Sequence, residues 1–380
     1  MKTLRVAKIY SNLVQILFFT LKNTKKKPAL QEKEGISPPD SIGAAAVEKL
    51  KSVRKNRPAA GALAARIITG DTVALSRAIT LIESTRKQHT EDAQTIIETC
   101  LPYAGKSVRI GITGVPGVGK STFIEVFGKF LTARGKKVAV LAVDPSSAIS
   151  KGSILGDKTR MDALAKDEHA FIRPSPSGET LGGVARKTRE TVLLCEACGF
   201  DIIIIETVGV GQSETAVHGM TDFFLLLKLA GAGDELQGIK RGIMEAADAV
   251  VIHKADGDTL KAARQAKTDF SRALHLYPPK ENGWMPKVLL ASALEHSGIE
   301  AIWELIAEYI RQNRENGFFD RRRVRQNKHW FLQTVEERLK TDFYGHPAVE
   351  AELKTLLKAV ENNEMSPFAA AQRLFLVYTA

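Results

Sequence analysis

The sequence is poor in cysteine, with only Cys100, Cys195 and Cys198 among its 380 residues. Three cysteines cannot build a disulfide framework, and so few are typical of a reducing compartment. Cys195 and Cys198 form a C-x-x-C pair, but a structural zinc would need two further ligands. The pair lies late in a predicted helix, Lys187 to Cys198, just before an apolar strand. We therefore predict that both thiols are packed in the core.

A long apolar run is also missing. The segment from Tyr10 to Leu21 follows Lys2, Arg5 and Lys8, but it is too short to span a bilayer, and no small-residue cleavage site follows it. We expect residues 1–43 to form a flexible basic extension of a cytoplasmic protein. Targeting to the mitochondrial matrix is the alternative, in which this extension is a transit peptide.

Acidic residues are fewer than basic ones: the sequence has 43 Asp and Glu against 54 Lys and Arg, which gives a formal net charge of +11. Such an excess is compatible with acidic partners. Much of it lies in the first sixty residues and in the cluster Arg321-Arg322-Arg323 with Arg325. We interpret these charges as solvated tails and helix faces, and we expect no nucleic-acid or membrane partner.

One motif organises the chain. Gly114-Val115-Pro116-Gly117-Val118-Gly119-Lys120-Ser121 fits the phosphate-binding pattern G-x-x-x-x-G-K-[ST], between a predicted strand and a predicted helix that starts near Thr122. Glycines let successive N–H groups face one point, and the helix N-terminus adds partial positive charge there. We predict that residues 114 to 122 bind a nucleotide, with Lys120 on the outer phosphates and the Ser121 hydroxyl on Mg²⁺.

Apolar strands alternate with helical stretches from residue 108 onward. The predicted strands are Val108 to Ile112, Val138 to Val143, Ile202 to Ile205, Phe223 to Leu229, Ala249 to Ile252 and Val288 to Leu290. This alternation predicts an α/β fold, with a mostly parallel sheet covered by helices on both faces. Ala64 to Ile68, Thr72 to Thr85 and Thr90 to Leu101 have helical spacing and predict an N-terminal helical cap. In such sheets the chemistry collects at the carboxyl ends of the strands.

Carboxylates follow the second of these strands. Asp144 comes directly after it and is a natural Mg²⁺ ligand, because this hard cation prefers oxygen. Asp157 could hold a metal-bound water, act as a base or cap the helix that begins at Lys158.

Glu206 follows the strand Ile202 to Ile205, and Gly209 comes three residues later. This is the layout of the second metal-side motif in P-loop GTPases, in which the glycine N–H senses a γ-phosphate. Val210 occupies the place where many GTPases have a glutamine that orients water. We therefore expect slow intrinsic hydrolysis, with Lys120, Asp157, Glu206 and Gly209 as catalytic residues.

Base recognition is predicted at His253-Lys254-Ala255-Asp256. Asp256 can accept hydrogen bonds from the N1–H and amine of guanine, which adenine cannot supply. His253 stands where asparagine is usual, and its N–H could donate to guanine N7. Ser292-Ala293-Leu294 follows the last strand, where a backbone N–H usually contacts the guanine oxygen.

Together these residues resemble the MeaB/ArgK/MMAA family of GTPases. The resemblance runs from about Ala62 to about Ile310. The matching blocks are Ala65-Arg66-Ile67-Ile68-Thr69-Gly70, the phosphate loop, Asp144-Pro145-Ser146-Ser147, Gly152 to Met161, Glu206 to Glu214, Gly231 to Glu245 and Ser292-Ala293-Leu294.

The resemblance implies a SIMIBI-type P-loop NTPase that binds GTP or GDP with Mg²⁺, with Asp144, Asp157 and Glu206 as the metal-side acids. It implies a chaperone that gates delivery of adenosylcobalamin to methylmalonyl-CoA mutase or a related acyl-CoA mutase and protects that cofactor. The loop Gly231 to Gly238 is then an extra switch that relays the nucleotide state to the mutase. The resemblance also implies a homodimer clasped by C-terminal helices.

Four helices are predicted in the carboxyl third, at Ile299 to Gln312, Lys328 to Lys340, Ala348 to Val360 and Pro367 to Tyr378. We expect them to pack on a neighbouring subunit rather than fold back on the core. The predicted domains are an extension (1–43), an N-terminal helical segment (44–104), a GTPase domain (105–315) and a C-terminal helical dimerisation segment (316–380). Two other functions remain open: a metal-insertion GTPase, although the eight histidines are scattered, and a basic nucleic-acid-binding protein that retains a nucleotide fold.

Overall fold

A seven-stranded parallel sheet forms the centre of the fold. The fold is taken from a computed structural model, which describes residues 58–84, 86–143, 161–174, 181–207, 213–231 and 241–379. The strands are β1 Val108–Gly114, β2 Val138–Val143, β3 Ala170–Arg173, β4 Ile202–Thr207, β5 Phe223–Leu229, β6 Ala249–His253 and β7 Lys287–Ala291. Their order is β3-β2-β4-β1-β5-β6-β7, and every pairing is parallel. The predicted fold class is confirmed.

Thirteen helices lie in the described ranges. They are α1 Ala60–Ile68, α2 Thr72–Glu83, α3 Lys87–Cys100, α4 Lys120–Thr132, α5 Asp162–Ala165, α6 Leu181–Ala197, α7 Ser213–His218, α8 Arg241–Ala246, α9 Leu260–Leu274, α10 Ile299–Glu315, α11 Phe318–Tyr344, α12 Pro347–Glu361 and α13 Pro367–Thr379. None of these helices is both long enough and apolar enough to span a bilayer.

Both faces of the sheet are buried, as the continuous apolar strands predict. In β4 the alternate residues Ile203 and Ile205 pack under α1, α2, α3 and α6. Their neighbours Ile202 and Ile204 pack under α4 and α10 on the opposite face. Helices α8 and α9 cover the β5 to β7 side of the first face. All three cysteines are buried free thiols in the first core, so the prediction of buried packing is confirmed.

One strand was missing from the sequence prediction. β3 has only four residues, Ala170–Arg173, all of them half-buried, and it pairs only with β2 at the edge of the sheet. A four-residue edge strand that includes an arginine gives little apolar pattern. The other six strands occur at their predicted places, with β1 and β4 each extending two residues further.

The C-terminal helices divide between core and surface. Ile302, Ile306 and Tyr309 of α10 are at most 1% exposed in the core beneath the sheet. The expectation that the helix at Ile299 to Gln312 packs on a neighbouring subunit is therefore wrong. The predicted helix at Lys328 to Lys340 is the middle of the 27-residue α11.

The charges at the start of α11 also differ from expectation. Arg322 and Arg323 are only 14% and 11% exposed and are paired with Asp248 and Asp222 at the amino ends of β6 and β5. Arg325 is half exposed and pairs with Glu281. Interpreting this cluster as a solvated helix face is therefore wrong for Arg322 and Arg323. Their acidic partners lie far away in sequence, so no local pattern reveals them.

Candidate nucleotide-binding site

The phosphate loop leaves the carboxyl end of β1, the strand flanked by β4 and β5 where the strand order changes direction. Gly114, Gly117 and Gly119 have φ values of +155°, +83° and +91°, a region that side chains disfavour. A Cβ on Gly114 would lie 2.6 Å from the Leu227 carbonyl oxygen. The glycine spacing is therefore required by this backbone and by its closeness to β5. Val115 is half-buried and Val118 is buried, whereas Pro116, Gly117 and Thr122 are exposed on the loop and the first turn of α4.

Lys120 begins α4 and is 8% exposed. Its ammonium donates to the carbonyl oxygens of Gly114 at 2.8 Å and Val115 at 3.4 Å, so it lies over the loop. Burial lowers the pKa of Lys120, while the negative charges of Glu206 and Glu214 oppose that effect. The lysine is thus held at the loop by two carbonyl groups, and two carboxylates on other elements favour its charged form.

Ser121 and Glu206 come together from α4 and β4. The Ser121 hydroxyl donates to Glu206 Oε1 at 3.2 Å. At the end of β4, the Thr207 hydroxyl donates to that of Thr113 on β1 at 2.8 Å, which fixes the two strand ends beside each other. A hydroxyl and a carboxylate adjacent to a phosphate loop are oxygen donors of the kind Mg²⁺ takes, so these residues fit the ion.

Glu214, in the first turn of α7, had no predicted role. It is 3% exposed, and its charge acts on Lys120. It follows Glu206 by eight residues in a different element, so its proximity to the loop could not be inferred from spacing.

His253 and Lys254 hold the phosphate loop from the end of β6. His253 Nδ1 is 2.8 Å from the Val118 carbonyl oxygen, and Lys254 Nζ donates to the Gly117 carbonyl oxygen at 3.0 Å. Since a carbonyl only accepts, His253 must carry its proton on Nδ1. Its ring lies against Gly119, where a Cβ would come within 3.0 Å of Cε1.

This orientation bears on the predicted contact with guanine N7. Burial lowers the pKa of His253, which favours the neutral ring. A neutral ring that donates through Nδ1 leaves Nε2 as an acceptor, and N7 is an acceptor as well. The arrangement therefore does not support donation from neutral His253 to N7. It gives His253 a role in holding the loop.

Asp256 and Ser292 meet at the ends of β6 and β7. The fully buried Ser292 hydroxyl donates to Asp256 Oδ2, and the Ala255 N–H donates to the Ala291 carbonyl at 3.1 Å. The Ser292 N–H donates to the Ser297 carbonyl at 3.0 Å, so it is not available to donate to a nucleotide base. Among the predicted backbone donors, Ala293 and the exposed Leu294 remain on this loop.

The comparisons with known proteins agree with this geometry. A family model described as methylmalonyl Co-A mutase-associated GTPase MeaB matches residues 75–348. This chain belongs to the MeaB family. It is similar to GTPase ArgK of Escherichia coli K12, with 45% identity over 309 residues that cover 81% of this chain and 93% of the relative. It is also similar to the mitochondrial methylmalonic aciduria type A homolog of Mus musculus, with 44% identity over 322 residues, 82% of this chain and 78% of the relative.

A solved structure supports the same assignment. The crystal structure of an LAO/AO transport system kinase superposes with a TM-score of 0.68 at 38% identity, covering 86% of this chain and 99% of that one. As a member of the MeaB family, this protein is a GTPase that binds guanine nucleotide.

Several predicted site residues of this MeaB-family GTPase lie outside the described residues. These are Asp144, Asp157, Gly209 and Val210, together with all of the loop Gly231 to Gly238 except Gly231. The described part of the chain brings together the phosphate loop, Lys120, Ser121, Glu206, His253, Lys254, Asp256 and Ser292. It thus places near one another residues that were predicted to contact the phosphates, the cation and the base.

Proposed function

We propose that this GTPase is a nucleotide-gated chaperone for an adenosylcobalamin-dependent acyl-CoA mutase, with methylmalonyl-CoA mutase as the expected client. The family match over residues 75–348 carries this proposal, because it spans the phosphate loop, the base-binding residues and all of α11. The name of that family refers to the mutase. The protein would control delivery of the cofactor and protect it at the enzyme.

The chain's own residues would hold the triphosphate and its ion. The loop N–H groups and Lys120 would bind the phosphates, while Ser121 and Glu206 would hold Mg²⁺ together with Asp144 and Asp157. The ion supplies positive charge that neutralises the phosphate oxygens during transfer to water. Gly209 would sense the γ-phosphate. With Val210 next to it, the isolated protein would hydrolyse GTP slowly.

Residues 316–380 would form a dimerisation arm. Exposed apolar side chains cluster in the second half of α11 and in α13, where Phe331, Leu339 and Phe375 are 60–67% exposed and Phe368 is 87% exposed. Helices α12 and α13 pack mainly on each other, through a small core that contains Val349 and Leu374. An apolar helical face of this kind suits the same face of a second copy.

The switch to the client would lie in the loop Gly231 to Gly238, which follows β5 directly. Residues 1–43 would be a separate extension, followed by a helical segment to residue 104 and a GTPase domain from 105 to 315. We place the protein in the cytoplasm, or in the mitochondrial matrix if the extension is a transit peptide.

The client can be tested by reconstitution. The purified protein is mixed with methylmalonyl-CoA mutase or isobutyryl-CoA mutase, and co-elution and the rate of GTP hydrolysis are measured. We expect a complex with one mutase and faster hydrolysis in its presence. The Lys120→Ala variant controls for contaminating GTPases. A protein that hydrolyses GTP but neither binds nor responds to any acyl-CoA mutase would contradict the chaperone role.

The arm can be tested separately by light scattering. Leu339→Glu places a charge in the apolar face of α11 and should convert a dimer into a monomer. Leu276→Glu makes the same change at an 86% exposed leucine outside the arm and should leave the dimer intact. A wild-type monomer, or equal effects of both variants, would contradict the dimerisation arm.

A further inference from the structure

A cavity with charged side chains in its lining lies at the amino edge of the sheet, opposite the phosphate loop. Its volume is about 390 Å³. It is lined by the end of α7, the residues just before β6 and the loop before β7. Tyr309 of α10 and the first turns of α11 complete the lining. The residues that define its chemistry are His218, Asp248, Lys280, Tyr309, Arg322 and Gln326.

The buried floor of this cavity holds two cations and one carboxylate. Asp248 is fully buried, and its Oδ1 accepts from Lys280 Nζ at 2.7 Å. Its Oδ2 accepts from the Phe224 N–H at 2.9 Å and lies 3.9 Å from Arg322 Nη1. Two cations thus share one carboxylate. At the rim, Arg325 and Glu281 neutralise each other through contacts of 2.8 Å, and the exposed Glu245 adds one further carboxylate.

Both cations retain N–H groups beyond those used in the described part of the chain. Arg322 donates to Tyr309 Oη at 3.1 Å, to the Asp222 carbonyl at 3.2 Å and to His218 Nε2 at 3.3 Å. A guanidinium has five N–H groups, so two are left. Lys280 donates to the Ala246 carbonyl and to Asp248, both at 2.7 Å, which leaves its third N–H.

Gln326 supplies the complementary group. It is 7% exposed, and its Nε2 donates to the Thr221 carbonyl at 2.9 Å. Its Oε1 is buried and has no hydrogen-bond partner among the described residues. A buried acceptor left unpaired is costly, so a ligand donor bonded to this oxygen would be stabilising.

We propose that this cavity binds a small carboxylate that also carries an adjacent hydroxyl or amine donor. The carboxylate would take the spare N–H groups of Arg322 and Lys280, and the donor would bond to Gln326 Oε1. The volume lies near the lower end of the range of about 300–1,000 Å³ for ligand sites, which favours a small acid over a nucleotide. The site is separate from the nucleotide site and goes beyond the proposed function.

The test uses the full-length protein and saturation-transfer NMR with four probes. L-lactate and L-alanine each have a carboxylate and a donor, acetate has the carboxylate alone, and inorganic phosphate competes as a different anion. We expect transfer to L-lactate, L-alanine or both, and the two distinguish a hydroxy acid from an amino acid. Acetate should bind about tenfold more weakly, because it leaves Gln326 Oε1 unpaired.

Two variants locate the signal. Gln326→Met removes the acceptor and should weaken probe binding about tenfold. Asn327→Met makes a similar change at the exposed neighbour on α11 and should have no effect. GTP binding, measured in parallel, shows that each variant is folded.

Four results would overturn the proposal. They are absence of transfer to both L-lactate and L-alanine on protein that binds GTP, equal binding of acetate, displacement of the carboxylates by phosphate at equal concentration, and equal loss in both variants. The first three use the unmodified protein, so they stand even if Gln326→Met fails to fold.

Discussion

At the carboxyl edge of the sheet, Lys120 and Glu206 meet at a glycine-rich loop and face a place for phosphates. At the amino edge, the charged residues are largely paired with one another. Asp222 is 2% exposed and accepts two hydrogen bonds from Arg323, at 2.9 and 2.7 Å, and one from the Arg109 N–H at 2.8 Å. The same edge carries Glu196, which accepts two bonds of 2.9 Å from the Arg109 guanidinium.

The two edges show that a buried charged residue can serve either binding or structure. Which one it serves depends on whether its partners can be replaced by a ligand. Lys120 contacts backbone carbonyls, which phosphate oxygens can replace. Asp222 is bound by Arg323 and Arg109 on two other elements, so it joins α11 to β1 and β5. Burial alone would raise the pKa of Asp222, but these two arginines hold it below its usual value. The amino edge thus attaches the C-terminal arm to the GTPase core.

Removing Asp222 should give the largest effect on stability. Asp222→Ala removes the carboxylate that pairs with Arg323 and leaves the Arg109 N–H without its acceptor, and breaking a buried pair costs about 3–5 kcal/mol. Urea unfolding measures the change. Asp162→Ala breaks the exposed pair with Lys166 and should cost at most about 1 kcal/mol. Similar losses for the two variants would mean that the amino edge is not a structural joint.

A pH-dependent loss of stability should follow from His218. Burial and the Arg322 charge lower the pKa of His218 to about 4. As the pH falls from 6.5 towards 4, the histidine of the unfolded chain, with a pKa near 6.5, therefore binds a proton, whereas His218 in the folded chain stays neutral. Unfolding free energy should drop by up to about 3 kcal/mol from pH 6.5 to pH 4.

His218→Gln removes this proton but keeps an acceptor for Arg322, so its stability should fall less steeply over the same range. His275→Gln replaces an exposed histidine and should follow the wild type. Urea unfolding at a series of pH values gives both comparisons. Parallel curves for His218→Gln and wild type would show that His218 does not cause the slope.

The contrast between the edges also explains what sequence could predict. The phosphate loop was recognisable because its residues are contiguous and its glycines are demanded by left-handed backbone. The six apolar strands were recognisable because they are buried on both faces. Arg323 was wrongly predicted to lie on a solvated helix face, because its partner Asp222 lies 101 residues away. The tautomer of His253 depends on the Val118 carbonyl 135 residues away, which no spacing encodes.

Lys120 should dominate nucleotide affinity at the carboxyl edge. Lys120→Ala removes charge-assisted bonds to the phosphates and should weaken GTP and GDP binding about 100-fold, or about 2.7 kcal/mol. Titration with fluorescent GTP and GDP analogues measures the two dissociation constants. Lys261→Ala removes an exposed lysine of α9 and should bind normally. Unchanged affinity in Lys120→Ala would require another place for the phosphates.

Substitution of Ser292 should have the smallest effect, and it should change only the recognition of the base. The Ser292 hydroxyl donates to Asp256 Oδ2 and so orients the carboxylate that we propose accepts from guanine. Ser292→Ala should therefore weaken GTP binding about tenfold and leave the weaker binding of ATP unchanged. Ser297→Ala is a matched control, because its contacts with Ser292 are between backbone groups and survive the change. If both variants lost GTP affinity equally, the effect would belong to the loop fold. If neither did, Asp256 would be held without the Ser292 hydroxyl.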